Sequence, residues 1–292
     1  MTLNLKHPEG REIFYRLIEK ADVFYTNYRE RVLQDLGADY ETLRRHKSNI
    51  IYGKTDTLGA KGPLAERRGF DFIAQARSGL MWAMGDRDLP EPVLVYGDVC
   101  DEAGATMLAL GLITALLARE RKGIGQKVET SIYGAALHLQ RGGISITSLR
   151  GRSWARHSRK RVKEPLSNFY KCADGKWILL AEMYVDKYWP LFARAIGRED
   201  LADNPRFNNM KARRENYQEL IQLLDEVFAS KSLEGWVDTF EGHGLGEAGF
   251  AYSPVYDYAA VLDDPQAREN DYIVDFEHPT AGWIKFPGRP LN

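Results

Sequence analysis

Residues 97–126, GDVCDEAGATMLALGLITALLARERKGIGQ, constrain the fold more than any other part of the chain. Ala103 to Ala118 is almost wholly apolar and rich in strong helix formers. Asp101, followed by Glu102, is an expected N-cap. Arg119 to Lys122 make a charged last turn, and Gly123 is the expected stop. A helix apolar on nearly all faces is expected to be buried inside a domain, and its apolar run is too short for a bilayer span. A carboxylate then sits at the positive end of a buried helix dipole, which favours the anion. Such a residue can be a nucleophile or an ordinary structural cap, and this stretch alone leaves both open.

At 292 residues the chain has room for one large domain or two smaller ones. A net charge of −1 argues against a surface built wholly for nucleic acid. No apolar run of membrane length and no signal-type segment after Met1 is evident, so no membrane partner is expected. Cys100 and Cys172 are too few and too far apart for a disulfide framework, which fits a reducing cytoplasm. No Cys/His cluster has zinc spacing, and no metal is expected.

Helical and strand patterns alternate in the first half. Glu9 to Ala21, Tyr40 to Arg45, Phe70 to Ser78 and Ile132 to Gln140 suit helices. Asp22 to Thr26, Asn49 to Gly53 and Gln126 to Ser131 suit strands. That order implies βαβ units and a parallel sheet. From Gly142 to Lys163 the pattern lapses into a connector with seven basic residues, and no acidic residue comes before Glu164. It is read as a solvated linker, or as a contact to phosphates or a partner chain. NFYKCADGKWILLA reads as a hairpin, and helices are expected at Lys187 to Ile196, Arg213 to Phe228 and Leu233 to Glu241. The expected organisation is a large domain at 1–145, the basic connector at 146–164, a small α+β domain at 165–249 and a return segment at 250–292.

Other chemistry is weaker. Gly123-Ile124-Gly125 lacks the third glycine and the preceding strand of a dinucleotide loop. Cys100 is a possible thiol nucleophile without a histidine near it in sequence. His138 and the Tyr184, Tyr188, Trp189, Phe192 set are read as packing residues.

Taken in order, TLNLKHPEGREIF, ADVFYTNYRERVLQDLG, IIYGKTDTLGAKGP, GFDFIAQARSGLM, DEAGATMLALGLITALLARERKGIGQKVETS, NFYKCADGKWI, DDPQAREN and HPTAGWIKFPG span essentially the whole chain. Together they resemble the family III CoA-transferases, the CaiB/BaiF group that includes formyl-CoA transferase, carnitine CoA-transferase and the α-methylacyl-CoA racemases. The resemblance implies an α/β fold: a Rossmann-like large domain with a parallel sheet plus a smaller α+β domain, in an interlocked homodimer. It also implies a further strand-turn-helix ahead of the first motif and more chain after the last. Part of the CoA site is therefore in doubt, and the chain as given is expected to bind CoA weakly or not at all.

The resemblance places the catalytic aspartate on Asp101, by its distance to Gly111, with Asp98 as second choice. It places CoA contacts on Leu3, Lys6, Asn27, Tyr28, Arg29, Arg68 and Phe70. Lys6, Arg29 and Arg68 suit phosphates; Tyr28 and Phe70 suit the adenine or the pantetheine arm. One family arginine falls on Asp35, which cannot serve an anion, and the glycine-rich loop of formyl-CoA transferase has no counterpart. The implied activity is acyl-CoA:carboxylate CoA transfer through an aspartyl intermediate. CoA and acyl-CoA enter as substrates, with no permanently bound cofactor, and Ala103 and Gly104 offer oxyanion donors. The alternatives are a racemase, which needs a histidine where Phe70 stands, and an incomplete, non-catalytic chain needing a partner.

Overall fold

The computed structural model describes residues 2–291. The chain divides into two compact units between His157 and Ser158. The first runs α1 (Pro8–Lys20), β1 (Val23–Thr26), α2 (Glu30–Leu36), α3 (Tyr40–His46), β2 (Ile51–Asp56), α4 (Asp71–Ser78), α5 (Leu80–Ala83), α6 (Val99–Lys122), β3 (Gln126–Ser131), α7 (Ile132–Leu139) and α8 (Arg141–Arg150). The three strands form a parallel sheet in the order β1-β2-β3. Parallel neighbours need long crossovers, and the intervening helices supply them. β2 is central and almost wholly buried. Its Lys54 is fully buried and is neutralised by Asp56 at 2.5 Å and Glu30 at 3.6 Å. The mixed α/β architecture with a parallel sheet is the fold class expected.

The central helix differs from expectation. α6 begins at Val99 and runs 24 residues, because Gly97 and Asp98 turn the chain through the left-handed region just before it. It packs on β2, β3 and α7 through a face containing Cys100, Gly104, Leu108 and Ala115. Leu110, Ile113 and Leu117 on the rest of its surface are exposed, so burial on nearly all faces is corrected. Apolar composition sets the tendency to be covered; it does not create the neighbours that do the covering. The expected shortfall in length is corrected too, since α6 is long and apolar enough, by length and composition, to cross a membrane.

The basic connector is not irregular throughout. Its first part is α8, entered after a break at Gln140. Two of its arginines are engaged locally in their own units. Arg156 donates to the Gly85 and Glu91 carbonyls at 3.0 and 2.8 Å. Arg159 pairs with Asp225 and lies over the rings of Tyr170 and Trp177. The reading of the connector as a phosphate or partner contact therefore loses these two residues.

The second unit has an antiparallel sheet of β4 (Ser167–Lys171), β5 (Trp177–Ala181) and β6 (Tyr252–Val255). Around it lie α9 (Val185–Ala195), α10 (Met210–Glu215), α11 (Tyr217–Phe228), α12 (Leu233–Gly242), α13 (Leu245–Ala248), α14 (Tyr258–Val261) and α15 (Pro265–Glu269). A separate hairpin pairs β7 (Ile273–His278) with β8 (Gly282–Pro287). Tyr170, Trp189, Phe192, Phe228, Trp236 and Phe240 form an aromatic core. Trp189 and Phe192 thus pack as expected, whereas Tyr184 is exposed. The helix expected from Arg213 to Phe228 is two helices, broken where Asn216 leaves helical geometry. β6 joins the small unit's sheet, although residues 250–292 were expected to return to the large one.

Candidate active site

Asp101 is the third residue of α6, one turn inside the position expected of it. The N-cap is Asp98, which is left-handed at φ 53° and makes no side-chain cap bond. The cap comes from another helix. The Asp71 carboxylate, at the start of α4, accepts the N–H of Cys100 at 2.7 Å and that of Asp101 at 3.0 Å. Its other oxygen accepts from the side-chain amide of Gln75. Gln75 is fully buried and clamped to both backbone groups of Val95, at 2.7 and 3.0 Å.

The Asp101 side chain faces solvent, and its pKa is raised above the ordinary aspartate range. Partial burial is the largest cause, followed by repulsion from Asp71, Asp98 and Glu102. The Glu102 N–H donates to Asp98 O, which starts the helical ladder. Ala103 and Gly104 therefore lie inside that ladder, with their N–H groups committed to it. This corrects their expected role as oxyanion donors.

A cavity of about 610 Å³ opens beside Asp101. Asn27 and Tyr28 line it, together with Leu5, Phe14, Phe24 and Thr55. Two of the expected CoA contacts therefore share a cavity with the expected nucleophile. The others do not line it. Lys6 borders a separate hollow with Arg11 and Tyr15. Arg29 is the N-cap of α2, and its guanidinium donates to Glu66 O at 3.4 Å. Arg68 and Phe70 are exposed, and Leu3 is half-buried outside the lining. Leu5, Phe24, Thr55 and Asp71 were missed by sequence reasoning. For Asp71 the available signal was Asp-x-x-x-Gln in GFDFIAQ, a spacing that puts both polar side chains on one helix face.

Two other candidates resolve. Cys100 is fully buried, and its thiol is pushed up to about 11, by burial first and then by Asp71 and Asp101. It is held protonated and is no nucleophile at neutral pH. His138 is exposed and lies 3.4 Å from Arg141, so the packing role expected of it is corrected. Among the described residues no group of three His, Cys, Asp or Glu is arranged to hold a metal ion.

Known proteins resemble the chain along its whole length. The sequence model described as CoA-transferase family III matches residues 1–292. An (R)-2-hydroxy-4-methylpentanoate CoA-transferase from Clostridioides difficile is 29% identical over 274 residues, covering 94% of this chain and 67% of that protein. A succinyl-CoA–D-citramalate CoA-transferase from Chloroflexus aurantiacus is 30% identical over 290 residues, covering 98% and 69%. The crystal structure of Rv3272 from M. tuberculosis matches with a TM-score of 0.81 at 27% identity, over 99% of this chain and 73% of that one. The chain belongs to CoA-transferase family III and is a CoA-transferase.

Proposed function

We propose that the chain moves CoA from an acyl-CoA to a free carboxylic acid, with Asp101 as the covalent nucleophile. The observation that carries this reading is the opening of Asp101 onto the same cavity as Asn27 and Tyr28. Its raised proton affinity fits the role, since a more basic carboxylate is a stronger nucleophile while it stays ionised near neutral pH.

In the proposed sequence an Asp101 oxygen attacks the thioester carbonyl, and the C–S bond breaks to release CoA thiolate. A mixed anhydride remains. The thiolate then attacks the aspartyl carbonyl, expelling the donor's carboxylate and leaving an aspartyl-CoA thioester. The acceptor carboxylate attacks this thioester and expels the thiolate again. The thiolate attacks the acceptor's carbonyl in the second anhydride, which yields the new acyl-CoA and frees Asp101. One thioester replaces another, so the overall exchange is close to balanced in energy. Tyr28, exposed at the cavity, supplies a ring for the adenine or the pantetheine arm.

The racemase reading is disfavoured, because Phe70 stands where its base is needed and a phenyl ring cannot exchange a proton. The proposed assembly is a homodimer in which the segment 142–163 takes part; sedimentation at micromolar concentration giving a monomer would refute it.

The test of the nucleophile is Asp101→Ala alongside Asp98→Ala. Succinyl-CoA and a panel of 2-hydroxy acids serve as first probes. Asp101→Ala should lose transfer, and hydroxylamine should trap wild type as a hydroxamate at Asp101 that a peptide mass map locates. Full activity in Asp101→Ala with loss in Asp98→Ala would move the role to Asp98.

A further inference from the structure

We infer that Asp71 is a positioning residue for the transfer reaction: its buried carboxylate grips the first turn of α6 and fixes the backbone of Asp101 at the edge of the cavity. The inference rests on the reading of Asp101 as nucleophile.

The first N–H groups of a helix have no partner within it and are ordinarily met by the residue just before. Here Asp98 gives no such bond, and the acceptor comes from 30 residues earlier in the chain. Asp71 is only 3% exposed, and burying a carboxylate is costly unless donors surround it. It has three: the N–H groups of Cys100 and Asp101, and the Gln75 amide. Gln75 is itself held by both backbone groups of Val95, in the loop that leads into α6. The position of Asp101 is thus set by α4 through bonds of fixed length, and the long loop between α5 and α6 does not have to define it.

The same contact has an electrostatic effect. The N–H groups of a helix start would otherwise stabilise the Asp101 anion and weaken it as a nucleophile. Two of them are already engaged by another anion, which also repels Asp101. The charged groups bearing on Asp101 are Asp71 from α4 and Asp98 and Glu102 from the same turn, all acidic, with the Cys100 thiol beside them held protonated. Asp71 therefore both places the nucleophile and keeps it basic.

The experiment compares wild type, Asp71→Ala and Asp71→Asn in the whole chain. Three readouts are used: hydroxylamine capture with succinyl-CoA as donor, hydrogen exchange at the Cys100 and Asp101 amides, and titration of the Asp101 carboxyl carbon by NMR. Asp71→Ala should slow capture by roughly 10- to 100-fold, the scale of a nucleophile misplaced by up to an ångström, with KM changed less than about twofold. It should also remove protection at the two amides. Asp71→Asn keeps one acceptor oxygen but no charge. It should recover part of the rate at unchanged KM, a split that a merely structural residue would not produce, while loss of the neighbouring charge moves the Asp101 titration to lower pH. If Asp71→Ala does not fold, Asp71→Asn carries the test by its capture rate, its KM and the exchange of the two amides, with the titration beside them. A folded Asp71→Ala with wild-type capture, or an unmoved titration in Asp71→Asn, overturns the inference and leaves Asp101 as nucleophile. An adduct mapped to a residue other than Asp101 overturns both.

Discussion

Gly125, the second glycine of the GIGQ motif, gives the sharpest stability prediction. A Cβ built at Gly125 would lie 2.6 Å from Asn49 C and Ile50 O and 2.8 Å from Asn49 Cα, all backbone atoms. Ordinary contact would require the two segments to part by about 0.8 Å, and backbone cannot swing aside as a side-chain tip can. The neighbouring bond from Gln126 N–H to Ile50 O, 3.2 Å long, starts the β2–β3 ladder and would be stretched or lost. Overpacking costs ~1–3 kcal/mol and the hydrogen bond ~1 kcal/mol, offset by ~0.4–1 kcal/mol from a stiffer unfolded chain. Gly125→Ala should therefore destabilise the first unit by about 2 kcal/mol.

Two controls bracket it. Gly123 ends α6 at φ 72° with open space around it, so Gly123→Ala carries only the left-handed penalty and should cost about 1 kcal/mol. Gly143 lies inside α8 with nothing within 4 Å, so Gly143→Ala should stabilise by ~0.5–1 kcal/mol. Urea unfolding followed by hydrogen exchange of β2 and β3 amides reads the first unit by itself. A Gly125→Ala protein as stable as Gly123→Ala would refute the claim that backbone contact is what requires glycine there.

Other consequences concern charge and core. If Asp101 is the nucleophile as proposed, transfer needs it ionised; its pKa is raised by burial and then by Asp71, so the rate should fall with acid at a pH above the ordinary aspartate range of about 3.9, and an acid limb at or below that value would contradict the proposal. Both carboxyl oxygens of Glu164 are buried without a hydrogen-bond partner among the described residues, and Arg214 Nε at 3.6 Å is too far to bond. Burial raises its pKa more than Arg213 and Arg214 lower it. A raised native pKa means stability is lost as pH climbs from about 4.3 through that higher value, so Glu164→Gln should be neutral or stabilising at pH 7, and a clear loss in thermal unfolding would reverse that sign. Trp236 is 1% exposed and donates to Phe228 O at 2.9 Å; Trp236→Ala should cost about 3–5 kcal/mol in urea, and a loss below about 1 kcal/mol would mean the aromatic core collapses around the gap.

Local signals by themselves determined a good deal of this protein. The bounds of β3 and of α1, α3, α4 and α7, four of the eight helices in the first unit, follow to within a residue from local apolar period and end signals, whereas α2, α5 and α8 were not expected from them. The succession of strands and helices was enough for a parallel sheet, and the motif series was enough for the family. What lay beyond reach depends on groups far apart in the chain. No local pattern shows that α6 begins at Val99, because the carboxylate satisfying its first turn belongs to Asp71. Nor does the apolar run reveal which face of α6 meets a neighbour; that depends on where β2, β3 and α7 lie. Lys6, Arg29 and Arg68 have the right charge for phosphates, yet the turns that carry them aim Asn27 and Tyr28, and not these three, into the cavity beside Asp101. Sequence periodicity specifies elements through short-range sterics and hydrogen bonding. A site is the meeting of elements, and only tertiary packing decides which side chains meet.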